Sequence, residues 1–204
     1  MLRICSSSGF GRNRLGPALS QLARQYPDLK IQLKLLDRAV DLLGECFDLD
    51  IRVGVVHEPD LIAHRIASNQ RVLCAAPAYL AQRGTPATLA QLGEHDFIVI
   101  REREQDGRRW KLQGPHGQET VKVDGPLSAN NGEIVHQWAL DGHGIILHSA
   151  WDVENSLAQG KLVRIFPAYQ QAADVWAVIT SRLSNSAKVR ACVQFLQQWL
   201  QARA

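Results

Sequence analysis

No apolar stretch of the 204-residue chain approaches the roughly 20 residues that a membrane helix needs, so a helical membrane protein is not expected. The opening Met1-Leu2-Arg3-Ile4-Cys5 does not read as a signal peptide. The four cysteines, Cys5, Cys46, Cys74 and Cys192, lie far apart with no C-x-x-C pair, which argues against zinc and against a thioredoxin-type redox site. Like charges never gather into a block. Lys and Arg number 23 against 20 Asp and Glu, a formal net charge of +3 spread along the chain, without the electrostatic footprint of a nucleic-acid binder. G-x-S-x-G, H-E-x-x-H and the Walker loop are all missing, and no nucleophile and base can be paired, so an enzyme is not expected.

What is present is an ordinary globular composition, 46% apolar and 21% charged with 15 Gly and 8 Pro, long enough for one large domain or two small ones. After a strand at Leu2–Cys5, Leu15, Ala18, Leu19, Leu22, Ala23 and Tyr26 recur on one helical face, and Pro27-Asp28 stops that helix. Lys30 to Leu36 alternates as a half-buried strand, a short helix is expected around Val40–Leu43, and Leu49–Gly54 supplies a third strand. Strand, helix, strand, helix, strand is the order of a parallel α/β sheet. A second block reads as a repeat in kind: strands at Arg71–Ala75, Phe97–Ile100, Ile145–Leu147 and Leu162–Phe166, with helices at Pro77–Gln82, Gly132–Leu140 and Trp151–Gln159. Trp110–Leu112 and Val121–Val123 read as short antiparallel additions about the turn Gly114–Gly117, and the charged run from Arg101 to Lys111 as an exposed loop. A last strand at Val175–Ile179 and an amphipathic helix bearing Val189, Cys192, Val193, Leu196, Trp199 and Leu200 are too little for a domain of their own. They are expected to return to the first block, giving two Rossmann-like lobes with a central cleft: 1–71 plus 175–204, and 72–174.

The loop Ser6-Ser7-Ser8-Gly9-Phe10-Gly11 runs into a helix N-terminus, where backbone N–H groups favour an anion. Gly9-Phe10-Gly11, with Asp37 at the end of the second strand, resembles a dinucleotide fingerprint, but Arg14 replaces the third glycine, so no such cofactor is expected. Asn130-Asn131-Gly132-Glu133 occupies the equivalent place in the second block, with Asn130 or Asn131 as helix cap, and Arg101 is a cation beside it. His136, His143 and His148 span a helix, a turn and a strand, so their rings are expected to diverge and no metal site is expected. The cysteines, three of them beside apolar neighbours in expected strands or helices, read as reduced core residues of a cytoplasmic protein.

In order along nearly the whole chain, Gly9–Arg12, Pro17–Leu19, Tyr26–Asp28, Phe47–Gly54, Arg71–Leu80, Asn130–Glu133 and Ala139–Ile145 closely resemble the effector-binding domain of LysR-type transcriptional regulators. The resemblance implies an α/β fold similar to type 2 periplasmic binding proteins, a small-molecule effector between two lobes, and side-by-side homodimers that become tetramers in the full-length protein. Promoter DNA would be met only by an N-terminal winged helix-turn-helix that this chain does not contain, so the chain reads as a fragment. The family's effector contacts would fall on Ser7, Ser8, Gly9 and Phe10, on Asp37 or Arg38, and on Ile100, Arg101, Asn130 and Asn131. His148 stands where many members carry proline. Cys74-Ala75-Ala76-Pro77, Ile100-Arg101-Glu102-Arg103-Glu104 and Asn130–Glu133 look most like regulators of malate and tartrate use, which suggests a hydroxy-dicarboxylate effector. A transporter's solute receptor on the same fold, and a bilobal-cleft enzyme, are the alternatives.

Overall fold

Leu2–Ser6 forms the first strand, β1, and a single helical stretch of changing geometry follows: an α-turn at Ser8–Phe10 (α1), a π-turn at Gly11–Leu15, and the helix Gly16–Gln25 (α2). The structure, a computed structural model, describes residues 1–101, 107–183 and 185–202. β2 (Ile31–Leu35) and β3 (Leu49–Val53) pair in parallel with the two sides of β1. Gly11 lets the helix approach β2, because a Cβ at that position would overlap the Leu35 side chain.

The helix expected at Val40–Leu43 is absent, and residues 42–46 form turns. Asp41 Oδ1 accepts from the amides of Leu43 and Gly44, both at 3.0 Å, a local closure that competes with helix over so short a segment. A strand not anticipated from the sequence, β4 (Leu61–Ala67), comes next; its run Ala63-His64-Arg65-Ile66 lacks an apolar alternation.

The second compact unit, Gln70–Ala172, opens with β5 (Gln70–Ala75). Pro77 starts α3 (Pro77–Arg83) and Gly84, at φ 83°, ends it. β6 (Ile98–Ile100) precedes the hairpin of β7 (Arg109–Gly114) and β8 (Gly117–Lys122); Glu102, Arg103 and Glu104, and much of the expected charged loop, lie outside the described residues. Then come β9 (Leu127–Ala129), α4 (Gly132–Leu140), β10 (Ile146–Ser149), α5 (Ala150–Ala158), β11 (Val163–Arg164) and β12 (Gln171–Ala172).

This unit also mixes parallel and antiparallel pairs. β10, β11 and β12 all run antiparallel to β5, while β9 pairs in parallel with β6 and Phe97 bridges Ile145 in parallel. β5 is buried on both faces. Leu73 and Ala75 join the cluster around Phe97, whose ring meets Trp110 edge-on at 5.0 Å, while Val72 and Cys74 pack with Ile98, Val135 and Ile146.

The chain returns to the first unit, Met1–Asn69 and Ala173–Ala204, with β13 (Val175–Thr180) and α6 (Ala187–Gln201). The units part at 69/70 and 172/173, against the 71/72 and 174/175 read from the sequence, since β5 takes Gln70 and Arg71 into its pairing with β12. β13 lies antiparallel between β3 and β4, so the sheet order is β2-β1-β3-β13-β4 and the sheet is mixed, where parallel strands were expected. Lys188 in α6 ties this return down, bonding both carboxylate oxygens of Asp48 at 2.8 and 2.9 Å and the Met1 carbonyl at 2.7 Å.

Asp50 and Arg52 share the face of β3 that carries Cys5 and Val178 of its neighbours, and both are buried there. Arg52 Nε donates to Asp50 Oδ2 at 2.7 Å and its Nη1 to Glu58. Burial alone would pull the Arg52 pKa down, but the bonds to the two carboxylates outweigh it and raise the pKa. Cys5, Cys74 and Cys192 are buried, while Cys46 is exposed in the turn at φ 57°. Burial pushes the Cys74 and Cys192 thiols up to about 12, which keeps them protonated. Among the described residues no helix is long and apolar enough to cross a membrane.

Candidate functional site

In the first unit, the parallel pairing of β1 and β2 places Ser6 opposite Leu35, so the loops that follow them emerge together. Asp37 there meets the serine loop directly. Its Oδ1 accepts from the Ser8 amide at 2.8 Å and its Oδ2 from the Ser8 hydroxyl at 2.7 Å. The start of the helix, read from the sequence as a place for a bound anion, therefore already holds a carboxylate of the chain itself, favoured by the same N–H groups and dipole. Ser7 is the cap by backbone position but makes no side-chain capping bond. Ser7, Ser8 and Gly9 are half-buried, and Phe10 is buried. Arg38 takes no part in the Ser8–Asp37 contact. Its guanidinium holds Glu45 through two bonds at 2.7 and 2.6 Å and the Ala39 carbonyl at 2.9 Å. The hydrogen bond to Glu45 raises the Arg38 pKa, and the same bond holds the Glu45 carboxyl below its ordinary value.

In the second unit, β6 and β9 run in parallel with Ile100 opposite Ala129. The Arg101 amide donates to the Ala129 carbonyl at 2.8 Å, so Arg101 and Asn130 leave the carboxyl ends of adjacent strands side by side. Ligands of open α/β sheets gather at such strand ends. The side chains of Arg101 and Asn130 are exposed, and Ile100 is half-buried against the Ile98–Val135 cluster. Gly125 permits this strand pairing, since a Cβ there would overlap the backbone of Phe97.

Of the two asparagines, Asn131 caps α4: its Oδ1 accepts from the amides of Glu133 at 3.0 Å and Ile134 at 3.2 Å. Asn131→Ala is expected to lower unfolding stability by about 1 kcal/mol. Urea denaturation followed by circular dichroism checks this, and an unchanged midpoint would show that the cap carries no stability.

Two of the three histidines converge, contrary to the expectation from the sequence. α4 packs on β10, which brings the His136 and His148 rings to 5.7 Å between centroids, tilted by 44°. His136 Nε2 lies 3.0 Å from Ser156 Oγ, and His148 Nε2 lies 2.9 Å from the Gly132 carbonyl. A sequence signal did exist: His148 directly extends the buried run Ile145-Ile146-Leu147, and His136 follows the buried Val135. Among the described residues no three His, Cys, Asp or Glu side chains are grouped as metal ligands would be.

The model of the LysR substrate binding domain family matches residues 1–201. The HTH-type transcriptional regulator DmlR of Escherichia coli strain K12 is 51% identical over 199 residues, which are 98% of this chain and 65% of that protein. The HTH-type transcriptional activator TtdR of the same strain is 46% identical over 203 residues, 100% of this chain and 66% of that protein. The chain thus spans about two thirds of the length of these curated relatives. Among solved structures, the regulatory domain of CrgA, a LysR-type regulator from Neisseria meningitidis, superposes with a TM-score of 0.82 at 24% identity, covering 97% of each chain. Full-length AphB, the Vibrio cholerae virulence activator, gives a TM-score of 0.80 at 24% identity over 97% of this chain and 67% of that one. The fold is that of these regulatory domains, α/β with two lobes like those of periplasmic binding proteins. With a family match over almost its whole length and relatives named as regulators of transcription, the chain belongs to the LysR substrate-binding domains and is the effector-binding domain of a LysR-type transcriptional regulator.

Proposed function

We propose that this domain senses a small hydroxy-dicarboxylate of the malate or tartrate type and passes its binding to a DNA-contacting helix-turn-helix elsewhere in the protein. The observation that supports the reading is the parallel pairing of β6 with β9, from whose adjacent ends Arg101 and Asn130 emerge. A guanidinium suits a ligand carboxylate, and an amide side chain both donates and accepts. Asp37, an acceptor already oriented by Ser8, suits a ligand hydroxyl. Contacts from Ser7, Ser8, Gly9, Phe10, Asp37, Ile100, Arg101, Asn130 and Asn131 belong to this proposal on the family resemblance. Arg38 is a weaker member, being already committed to Glu45.

Side-by-side homodimers, tetramers of the whole protein and a cytoplasmic location are part of the same reading. The effector acts only by binding one conformation of the protein better than another.

Titration calorimetry with malate tests the site. Arg101→Ala is expected to weaken malate binding about tenfold or more, the loss of one charge-assisted hydrogen bond. Succinate, which lacks the hydroxyl, is expected to bind more weakly than malate to the unaltered domain, and Ser8→Ala to shrink that difference by releasing Asp37. Unchanged malate affinity in both variants would overturn the assignment.

A further inference from the structure

We propose that His148 is the positioning residue of the Asn130–Asn131 loop, and that a proton taken up between His148 and Asp152 tightens the loop. His148 is 4% exposed, at the third position of β10 opposite Val72. The Gly132 carbonyl, 2.9 Å from Nε2, can only accept, so Nε2 carries the hydrogen. In the neutral ring Nδ1 is then an acceptor. It is buried, has no hydrogen-bond partner, and faces Asp152 Oδ2 at 3.8 Å. Two acceptors facing one another leave a place for one proton. Its uptake turns Nδ1 into a charged donor toward the carboxylate while the Nε2 bond to Gly132 is kept. Histidine is the side chain that ordinarily changes charge between about pH 5 and pH 8.

Gly132 is the first residue of α4, directly after Asn131, whose side chain caps the same turn. The ring therefore braces the segment that holds the cap, and α5, through Asp152, would hold the ring. The other titratable groups on the elements around it are compatible with this. On α4, His136 has its pKa held below the ordinary value, by burial and then by the neighbouring His148, with Asp152 acting against both. Glu133 stands in the first turn of α4, and Glu154 of α5 is exposed. On β5, Arg71 bonds Gln171 at 3.2 Å, and β6, Ile98–Ile100, carries no titratable side chain.

The consequence for ligand binding rests on the function proposed above, whereas the brace itself does not, and the test separates them. Hydrogen-exchange protection of the Glu133 and Ile134 amides, corrected for intrinsic rates, reports the cap without any effector. Between about pH 8 and about pH 5.5 the unaltered domain is expected to gain about tenfold protection at both amides, the scale of one charge-assisted hydrogen bond. His148→Gln, whose amide still donates to Gly132 but takes no proton, keeps the protection seen at the higher pH and loses the gain. Asp152→Asn loses the gain as well, and His148→Ala loses protection at both pH values. Malate affinity measured at the same two pH values is expected to rise with protection. A gain in protection without malate binding sustains the brace and overturns only the ligand reading. Flat protection in the unaltered domain, or a full gain in His148→Gln, overturns the brace.

Discussion

Arg52→Met is expected to destabilise the domain by about 3–5 kcal/mol, because it leaves the Asp50 carboxylate buried without its cation. Asp50 is fully buried and Arg52 is 5% exposed, in a central strand flanked by β1 and β13 and beneath Val40, Leu42 and Phe47. Two ions drawn out of water are held only because their geometry is good, with Nε 2.7 Å from Oδ2 and Glu58 on the other nitrogen. Methionine has a similar reach and is apolar, so packing is largely conserved and the measured loss reports the charge. The double variant Asp50→Val with Arg52→Met is expected to recover much of it, since an apolar pair of similar volume often matches a buried ion pair. Urea denaturation of the three variants, including Asp50→Val alone, closes the cycle. Additive losses would show that the two residues act independently.

Gly125→Ala carries the second large effect, a loss of about 3 kcal/mol together with weakened effector binding. The added methyl would meet the carbonyl oxygen and amide nitrogen of Phe97, which are backbone atoms that cannot swing aside. Phe97 is itself clamped, 2% exposed, with its ring edge-on to Trp110. The strain must then be relieved by moving β9 away from β6, which separates Asn130 from Arg101. Gly93→Ala is the control: nothing lies within 4 Å of its Cβ position, and its effect should stay within about 0.5 kcal/mol. Thermal unfolding and malate calorimetry on both variants decide the matter, and equal behaviour of the two would remove Gly125 from the site's architecture.

Much of the candidate site was legible because its signals are local. A strand that ends in Ser7-Ser8-Gly9 and opens a helix, and an Asn-Asn-Gly-Glu segment between a strand and a helix, are patterns of a few residues. What those residues do with one another was not legible. Asp37 follows Ser8 by 29 positions, and only the parallel register of β1 and β2 brings its carboxylate onto the Ser8 amide. Arg38, one residue further along, looks equally suited to an anion until Glu45 is seen to engage it from the turn at 42–46. The sequence does not bring His136 and His148 together, because helix and strand periodicities say nothing about which helix face lies on which strand.

The sequence by itself determined the α/β class, the strands whose apolar alternation is clean, the terminal amphipathic helix and the two loops that open at strand ends, since propensity and periodicity act over a few residues at a time. The tertiary structure decided that the sheets are mixed, that residues 42–46 turn where a helix was expected, and that β4 exists where no alternation announces it. It also decided that the alternating charges of β3 face inward. Leu49-Asp50-Ile51-Arg52-Val53 alternates apolar and charged residues, yet with β1 and β13 on its flanks and an apolar cluster over the charged side, both charges are buried and pair with each other. Burial is a property of what lies around a strand, and the flanking strands β1 and β13 that complete this cluster with Cys5 and Val178 are distant in sequence.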